Sequence, residues 1–162
     1  YNRMYAPIPN QETCFEKQLH AAKELDLPMI FHERDSNGRL LDILRSGAPG
    51  ERRAVVHCFS GTREEMYAYL DMGFFIGITG ILTIKKRGRL LRELAVDIPE
   101  DRILIETDAP YLTPAPEKNK HRRNEPAFVR SVLMKLAELR DRNPEELAET
   151  IWHNTELLFG KL

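Results

Sequence analysis

The sequence has few cysteines and almost no net charge, and each shortage excludes a class of protein. Its 162 residues include only 2 cysteines and 1 tryptophan, and 24 Lys and Arg nearly balance 25 Asp and Glu. Cys14 and Cys58 lie far apart, which argues against a disulfide framework and against a zinc ribbon. The formal net charge of -1 gives no bulk attraction for nucleic acid or a membrane, so any recognition of phosphate must be local.

Long hydrophobic runs are also missing. No apolar run approaches the roughly 20 residues of a membrane helix, and no signal peptide opens the chain. We therefore expect no membrane partner, and the reducing cytoplasm is the expected compartment. The length is that of about one domain, so residues 1–162 are predicted to form a single domain. The chain starts Tyr1-Asn2-Arg3-Met4 without an initiator methionine, and we expect it to be part of a longer protein.

Hydrophobic periodicity predicts four successive pairs of a strand and a helix. The predicted strands are 29–32, 54–59, 74–80 and 103–108, and the predicted helices are 10–25, 38–45, 62–73, 90–94, 126–140 and one that begins at Asn143. Thr62 and Glu65 have the spacing of a capping box, Trp152 is expected in the core, and residues 157–160 are expected to form a closing turn. The alternation predicts an α/β protein with parallel strands, whose carboxyl ends meet at one edge of the sheet.

Three residues that can bind metal end these predicted strands. His32 and His57 close consecutive strands, whose backbones would lie about 5 Å apart if the strands are neighbours. Asp108 ends the fourth strand at the same edge. A single histidine at a strand end is more often structural, but two histidines and an aspartate together favour a site for zinc, manganese or iron, or for magnesium with more oxygen ligands.

The neighbours of these residues are placed by the alternation of side chains along a strand. Glu106 and Asp108 are predicted to share one face, and Pro110 stops the strand just beyond them. A purely structural alternative is that Asp108 caps the next turn while Glu106 pairs with a basic neighbour. Cys58 follows His57 directly, so alternation predicts that its thiol points to the opposite face.

Basic residues follow the third and fourth predicted strands and would surround the same edge. They are Lys85, Lys86, Arg87 and Arg89 after the third strand, and Lys118, Lys120, His121, Arg122 and Arg123 after the fourth. Such runs are usually solvated loops, but two of them beside a metal site suit a phosphodiester substrate. Arg123 is the preferred candidate, because a guanidinium can bind a phosphate with two hydrogen bonds.

Five short motifs occur in order along nearly the whole chain. They are Phe-His-Glu-Arg-Asp at 31–35, His-Cys-Phe-Ser-Gly at 57–61, Glu-Thr-Asp-Ala-Pro-Tyr at 106–111, Arg-Arg-Asn-Glu-Pro at 122–126, and Asn-Thr at 154–155 ahead of Leu-Phe-Gly at 158–160. Together they resemble the TatD family of metal-dependent DNases, which are similar to amidohydrolases. The resemblance implies a TIM-type (β/α)8 barrel with a metal centre at its C-terminal mouth that cuts DNA.

The resemblance also implies roles for individual residues. By it, His32, His57 and Asp108 are metal ligands, and Asp108 is in addition the catalytic group that activates water. Arg123 and Asn124 would contact the substrate phosphate. Glu106 and Arg34 would contact the metal ligands rather than the metal itself. The complete site would hold divalent metal ions, two of them in the full enzyme and of the type Mg, Mn or Zn. The substrate would be DNA, with single strands or ends favoured.

The chain also departs from the family pattern. The family's His-x-His motif at the first strand and its ligand glutamate before Gly-Leu-Asp have no counterpart here. A whole barrel needs about 250 residues and eight strands. We therefore expect this chain to be the C-terminal portion, with the first part of the barrel missing and supplied by another chain or by a second copy. Two alternatives remain open, namely a metal-dependent amidohydrolase for a small cyclic ester or amide, and an inactive half-barrel that acts only as a binding module.

Overall fold

A computed structural model describes residues 6–34, 36–47, 53–118 and 120–160. Four strands form a parallel sheet in the order β1-β2-β3-β4. The strands are β1 (Met29–His32), β2 (Ala54–His57), β3 (Phe75–Ile78) and β4 (Ile103–Ile105). The α/β architecture with parallel neighbouring strands is thereby confirmed, although β2, β3 and β4 are shorter than predicted. Residues 1–4 and Asp35, which entered the sequence analysis, lie outside the described residues.

In the described ranges, seven α-helices surround or follow the sheet. They are α1 (Ile8–Glu24), α2 (Arg39–Gly47), α3 (Arg63–Asp71), α4 (Arg89–Leu94), α5 (Ala115–Lys118), α6 (Val129–Arg140) and α7 (Pro144–Phe159). Single 3-10 turns cover Gly80–Thr83, Glu100–Arg102 and Pro126–Phe128. The capping box of Thr62 and Glu65 is confirmed at the start of α3. None of the helices in the described part of the chain is both long and apolar enough to span a membrane.

The sheet has a helix-covered face and a second face that carries the candidate site. On the first, buried residues of all four strands pack with residues of the helices into one core; the strand residues are Phe31, Ala54, Val56, Ile76, Ile78 and Ile103. On the second face, Val55, Phe75 and Leu104 pack with Leu158 of α7. Because side chains alternate, His57 shares this second face with Val55, and Glu106 shares it with Leu104. The second face therefore changes from apolar to ionisable residues as the strands approach their carboxyl ends.

Two predictions about α7 are wrong. Residues 157–159 belong to the helix, which ends at Gly160 with a φ of 90°. Trp152 is 56% exposed, because the buried side of α7 consists of Leu147, Ile151, Asn154 and Leu158. Those four residues recur at helical spacing, and Trp152 lies about 100° around the helix from Ile151. Its apolar character alone could not reveal this.

Candidate metal centre and nucleic-acid interface

The two histidines lie side by side at the carboxyl edge of the sheet. His32 is paired in register with His57 across the parallel strands β1 and β2. Their ring centroids are 5.7 Å apart, and the ring planes differ by 32°. The predicted adjacency of these residues is confirmed. His32 is exposed, whereas His57 is partly buried between its neighbours.

Glu106 contacts His57 although β3 separates their strands. Next-nearest strands lie roughly 9–10 Å apart, so a side chain can join them only where the strand between offers no obstruction. The residue in between is Gly77, and a Cβ placed on it would lie 2.7 Å from Glu106 Cδ and 3.2 Å from the carbonyl oxygen of Val56. The Glu106 carboxylate therefore crosses over Gly77 and bonds to Nδ1 of His57. A glycine inside a strand pattern was the sequence feature that could have indicated this crossing.

The second nitrogen of His57 faces Asp108. His57 Nε2 lies 3.5 Å from Asp108 Oδ1. The hydrogen bond to Glu106 raises the pKa of His57 above its usual value, and burial opposes this effect. A carboxylate that holds one imidazole nitrogen while the other points into the site is a common arrangement behind metal-binding histidines. The donor set therefore fits a divalent metal ion, and the Asp108 side chain faces the site rather than capping the following turn.

Asn124 holds the segment that carries Asp108. Its side chain is only 4% exposed, and Nδ2 donates hydrogen bonds to the carbonyl oxygens of Thr107 at 2.7 Å and Tyr111 at 2.6 Å. Its Oδ1 accepts from the amide of Glu125 at 2.9 Å. Both amide hydrogens are thus committed to the backbone on either side of Asp108. This arrangement leaves the Asn124 side chain no free donor for the predicted contact with a substrate phosphate. It indicates instead that Asn124 positions the segment of Asp108.

The alternation argument for Cys58 holds only in part, since its side chain packs against the core of the helix-covered face and its thiol also lies near the site. The donor atoms of His57, Cys58 and Asp108 lie within 4.8 Å of one another. The strand ends at His57, and Cys58 has a φ of 51° in the left-handed region, where the alternation of an extended strand no longer holds. Burial raises the pKa of the Cys58 thiol, and Sγ lies 3.5 Å from Thr79 Oγ1. The thiol would have to lose its proton to bind a metal, and the raised pKa disfavours that loss.

The basic residues of the two clusters lie in the segments that follow β3 and β4. Lys85, Lys86 and Arg87 are exposed, and the charge of Arg87 partly offsets the rise that burial causes in the pKa of Cys58. Arg123 is exposed and forms no hydrogen bond or ion pair with any residue in the described ranges. Arg89 differs, since it lies in α4 and its Nε is 3.3 Å from Glu93. Arg34 is exposed two residues beyond His32.

Comparison with known proteins identifies the family of the chain. The family model described as TatD related DNase matches residues 1–160. The chain belongs to this family. It is 43% identical over 162 residues to a protein of Pantoea ananatis and 44% identical over 162 residues to one of Citrobacter koseri, both named 3'-5' ssDNA/RNA exonuclease TatD. In each case the match covers 99% of this chain and 62% of the relative. The TatD-family chain thus spans less than two thirds of the length of these curated relatives.

Solved structures of the TatD family have a similar fold. A TatD homologue from Escherichia coli k12 superposes with a TM-score of 0.83 at 31% identity, over 95% of this chain and 58% of that one. A TatD family hydrolase from Entamoeba histolytica superposes with a TM-score of 0.82 over 96% of this chain and 58% of that one. The second pair is only 24% identical, so it supports the fold alone.

Proposed function

We propose that this TatD-family chain carries a divalent-metal site that hydrolyses phosphodiester bonds of single-stranded DNA. The observation that carries the proposal is that His57 lies 3.5 Å from Asp108 with His32 beside it at one edge of the sheet, and that exposed basic residues lie in the segments that follow. Relatives more than 40% identical are named as exonucleases for single-stranded DNA and RNA. The basic residues distinguish this function from an amidohydrolase for a small neutral substrate, which would gain nothing from them.

In the proposed mechanism, His32, His57 and Asp108 hold a divalent ion of the type Mg, Mn or Zn. Such an ion lowers the pKa of a bound water and stabilises charge on a phosphate. Glu106 keeps His57 oriented through Nδ1, so that Nε2 remains directed toward Asp108. Asp108 accepts the proton of the attacking water through its free carboxylate oxygen. Arg123 binds the scissile phosphate, because its guanidinium is exposed and has no competing partner among the described residues.

The finer architecture is also part of the proposal. Both outer strands of the sheet, β1 and β4, have one edge without a partner strand in the described part of the chain. We infer that the sheet is part of a TIM-type (β/α)8 barrel, closed by strands from a longer protein or from a second copy of this chain. A second metal ion would then have ligands from the closing strands. A cytoplasmic location remains a prediction from the composition.

The test measures Mn²⁺ binding by calorimetry and cleavage of a 5'-labelled single-stranded oligonucleotide. We expect Asp108→Asn to lower the cleavage rate by about 100-fold or more, because a positioned general base contributes roughly 10²–10⁴-fold. Asp71→Asn is the control, since this exposed aspartate ends α3 and lies toward the opposite edge of the sheet. Cleavage at the wild-type rate by Asp108→Asn would contradict the proposal. A folded chain that neither binds Mn²⁺ nor cleaves DNA would favour the binding-module alternative.

A charge reversal separates the nuclease from an amidohydrolase. We expect Arg123→Glu to weaken binding of oligonucleotides of any sequence and to make log Kd less steep in log salt concentration by about one unit. Arg45→Glu is the matched control, because Arg45 lies in the last turn of α2 and so toward the amino ends of the strands. Equal binding and equal cleavage by the two variants would remove the support for a phosphodiester substrate.

A further inference from the structure

We propose that the ring of Tyr111 is a stacking platform for a nucleobase of the substrate, next to the phosphate that is cleaved. This inference rests on the proposed nuclease function and adds to it a group that binds the base rather than the backbone. Tyr111 is 70% exposed, the largest exposed fraction of any large hydrophobic residue among those the structure describes. Its phenol ring therefore presents its surface to the solvent at the segment that carries Asp108.

The backbone that carries this ring is held from two sides. The amide of Tyr111 donates to the carbonyl oxygen of Asp108 at 2.8 Å. Its carbonyl oxygen accepts a hydrogen bond from Nδ2 of the buried Asn124 at 2.6 Å. An exposed aromatic ring on a fixed backbone loses little conformational entropy when it binds, since only two side-chain torsions remain free. The backbone position of Tyr111 relative to Asp108 is thus set before substrate arrives.

The hydrogen bond between Asn124 and Tyr111 also joins the backbone of the Tyr111 segment to a residue that follows a cation in the chain. Arg123 directly precedes Asn124 in the chain, and its guanidinium is exposed and unpaired among the described residues. Two hydrogen-bonded segments therefore carry an exposed aromatic ring and an exposed guanidinium, and the Asp108 carboxylate is on the same segment as the ring. Single-stranded nucleic acid offers the complementary groups, namely unstacked bases and phosphates, and stacking on aromatic residues tolerates any base.

An exposed tyrosine is by itself unremarkable, so Tyr67 provides the comparison. Tyr67 is 45% exposed on the regular helix α3, whereas Tyr111 lies on the segment of the candidate metal ligand. If exposure alone mattered, the two residues would affect DNA binding equally. If Tyr111 stacks on a base, only substitution of Tyr111 will weaken DNA binding, and only when the DNA carries bases.

The experiment measures fluorescence anisotropy of a labelled single-stranded oligothymidylate and of an abasic oligonucleotide of equal length, with EDTA present to prevent cleavage. We expect Tyr111→Ala to raise the Kd for oligothymidylate by about tenfold, since stacking on one aromatic residue is worth roughly 1–3 kcal/mol. The Kd for the abasic strand should not change. Tyr111→Phe keeps the ring and should bind within about twofold of wild type, and Tyr67→Ala should do the same.

The outcomes separate this inference from the function on which it rests. Wild-type binding by Tyr111→Ala, in a protein that still cleaves DNA, would overturn the stacking role alone. An equal rise in Kd for oligothymidylate and for the abasic strand would also overturn it. A local structural defect weakens binding whether or not the DNA carries bases. If the wild-type chain neither binds nor cleaves either strand, the nuclease function fails and the stacking role fails with it.

Discussion

At the scale of single residues, the site depends on one missing side chain. Glu106 reaches His57 only because the strand between them carries Gly77 at the crossing point. The Glu106 carboxylate then orients the imidazole so that its other nitrogen faces Asp108 at 3.5 Å. A methyl group on β3 would occupy the space that the carboxylate now uses.

Gly77→Ala should therefore disturb the site without removing any polar group. We expect the Cβ to displace the Glu106 carboxylate and lower Mn²⁺ affinity by about 10- to 100-fold, which is the usual effect of losing a partner behind a metal ligand. The measurement is calorimetric titration with Mn²⁺. Gly47→Ala is the control, since a Cβ there would meet nothing within 4 Å. Unchanged Mn²⁺ affinity in Gly77→Ala would show that the contact between Glu106 and His57 does not organise the site.

Asn124 is the second residue on which the site depends. Removing its amide in Asn124→Ala leaves the carbonyl oxygens of Thr107 and Tyr111 without their donor, and we expect the free energy of unfolding to fall by about 1–3 kcal/mol. Urea denaturation followed by circular dichroism measures this change. Asn10→Ala is the matched control, because Asn10 is exposed near the start of α1. Equal stability of the two variants would contradict the positioning role of Asn124.

At the scale of elements, α7 is fastened to the segment that leads into β4. Asn154 is buried, and its Nδ2 donates to the carbonyl oxygens of Glu100 at 2.7 Å and Ile103 at 2.9 Å. Leu158, one turn further along α7, packs with Val55, Phe75 and Leu104 on the second face of the sheet. The helix thereby supports both the start of β4 and the apolar layer beneath the site.

Two adjacent residues of α7 test which side of the helix is buried. We expect Ile151→Ala to lower the free energy of unfolding by about 2–5 kcal/mol, because it leaves a cavity in the core. Trp152→Ala should change it by no more than about 0.5 kcal/mol, since the larger side chain is mostly exposed. Urea denaturation of both variants provides the comparison. A larger loss for Trp152→Ala than for Ile151→Ala would mean that another surface covers the tryptophan in solution.

At the scale of the whole molecule, the sheet is open where β1 and β4 lack a partner strand in the described ranges. Ile30 of β1 is 61% exposed on the second face, although its neighbours in the sheet are buried. Exposed apolar strands at a sheet edge favour pairing with another chain. The open edge is thus the molecular basis for expecting a closing partner.

Self-association of the purified chain checks this expectation. We expect the sedimentation coefficient of the purified chain to rise with protein concentration. Ile30→Asp should reduce that rise, because association would bury a carboxylate that has no partner, which is costly. Val96→Asp is the control, since Val96 is exposed in the segment after α4 and away from the open edge of β1. If Ile30→Asp associates as strongly as Val96→Asp does, the β1 edge is not the surface through which copies pair.

The sequence by itself determined the parallel α/β architecture and the placement of His32, His57 and Asp108 at one edge. Both follow from local information, because periodicity identifies each strand and parallel strands all end on the same side. The basic residues of the following segments are placed by the same reasoning. Their predicted roles in metal and phosphate binding remain to be tested by the experiments above.

Only the tertiary structure decided how the side chains at that edge meet. Glu106 reaches His57 across 49 positions of sequence, and Asn124 bonds to Thr107 across 17. Cys58 turns toward the site because its backbone adopts a left-handed conformation just where the strand ends. Alternation and helical spacing apply only within a regular element, whereas these contacts form between elements or at their ends, where the backbone conformation depends on what packs around it.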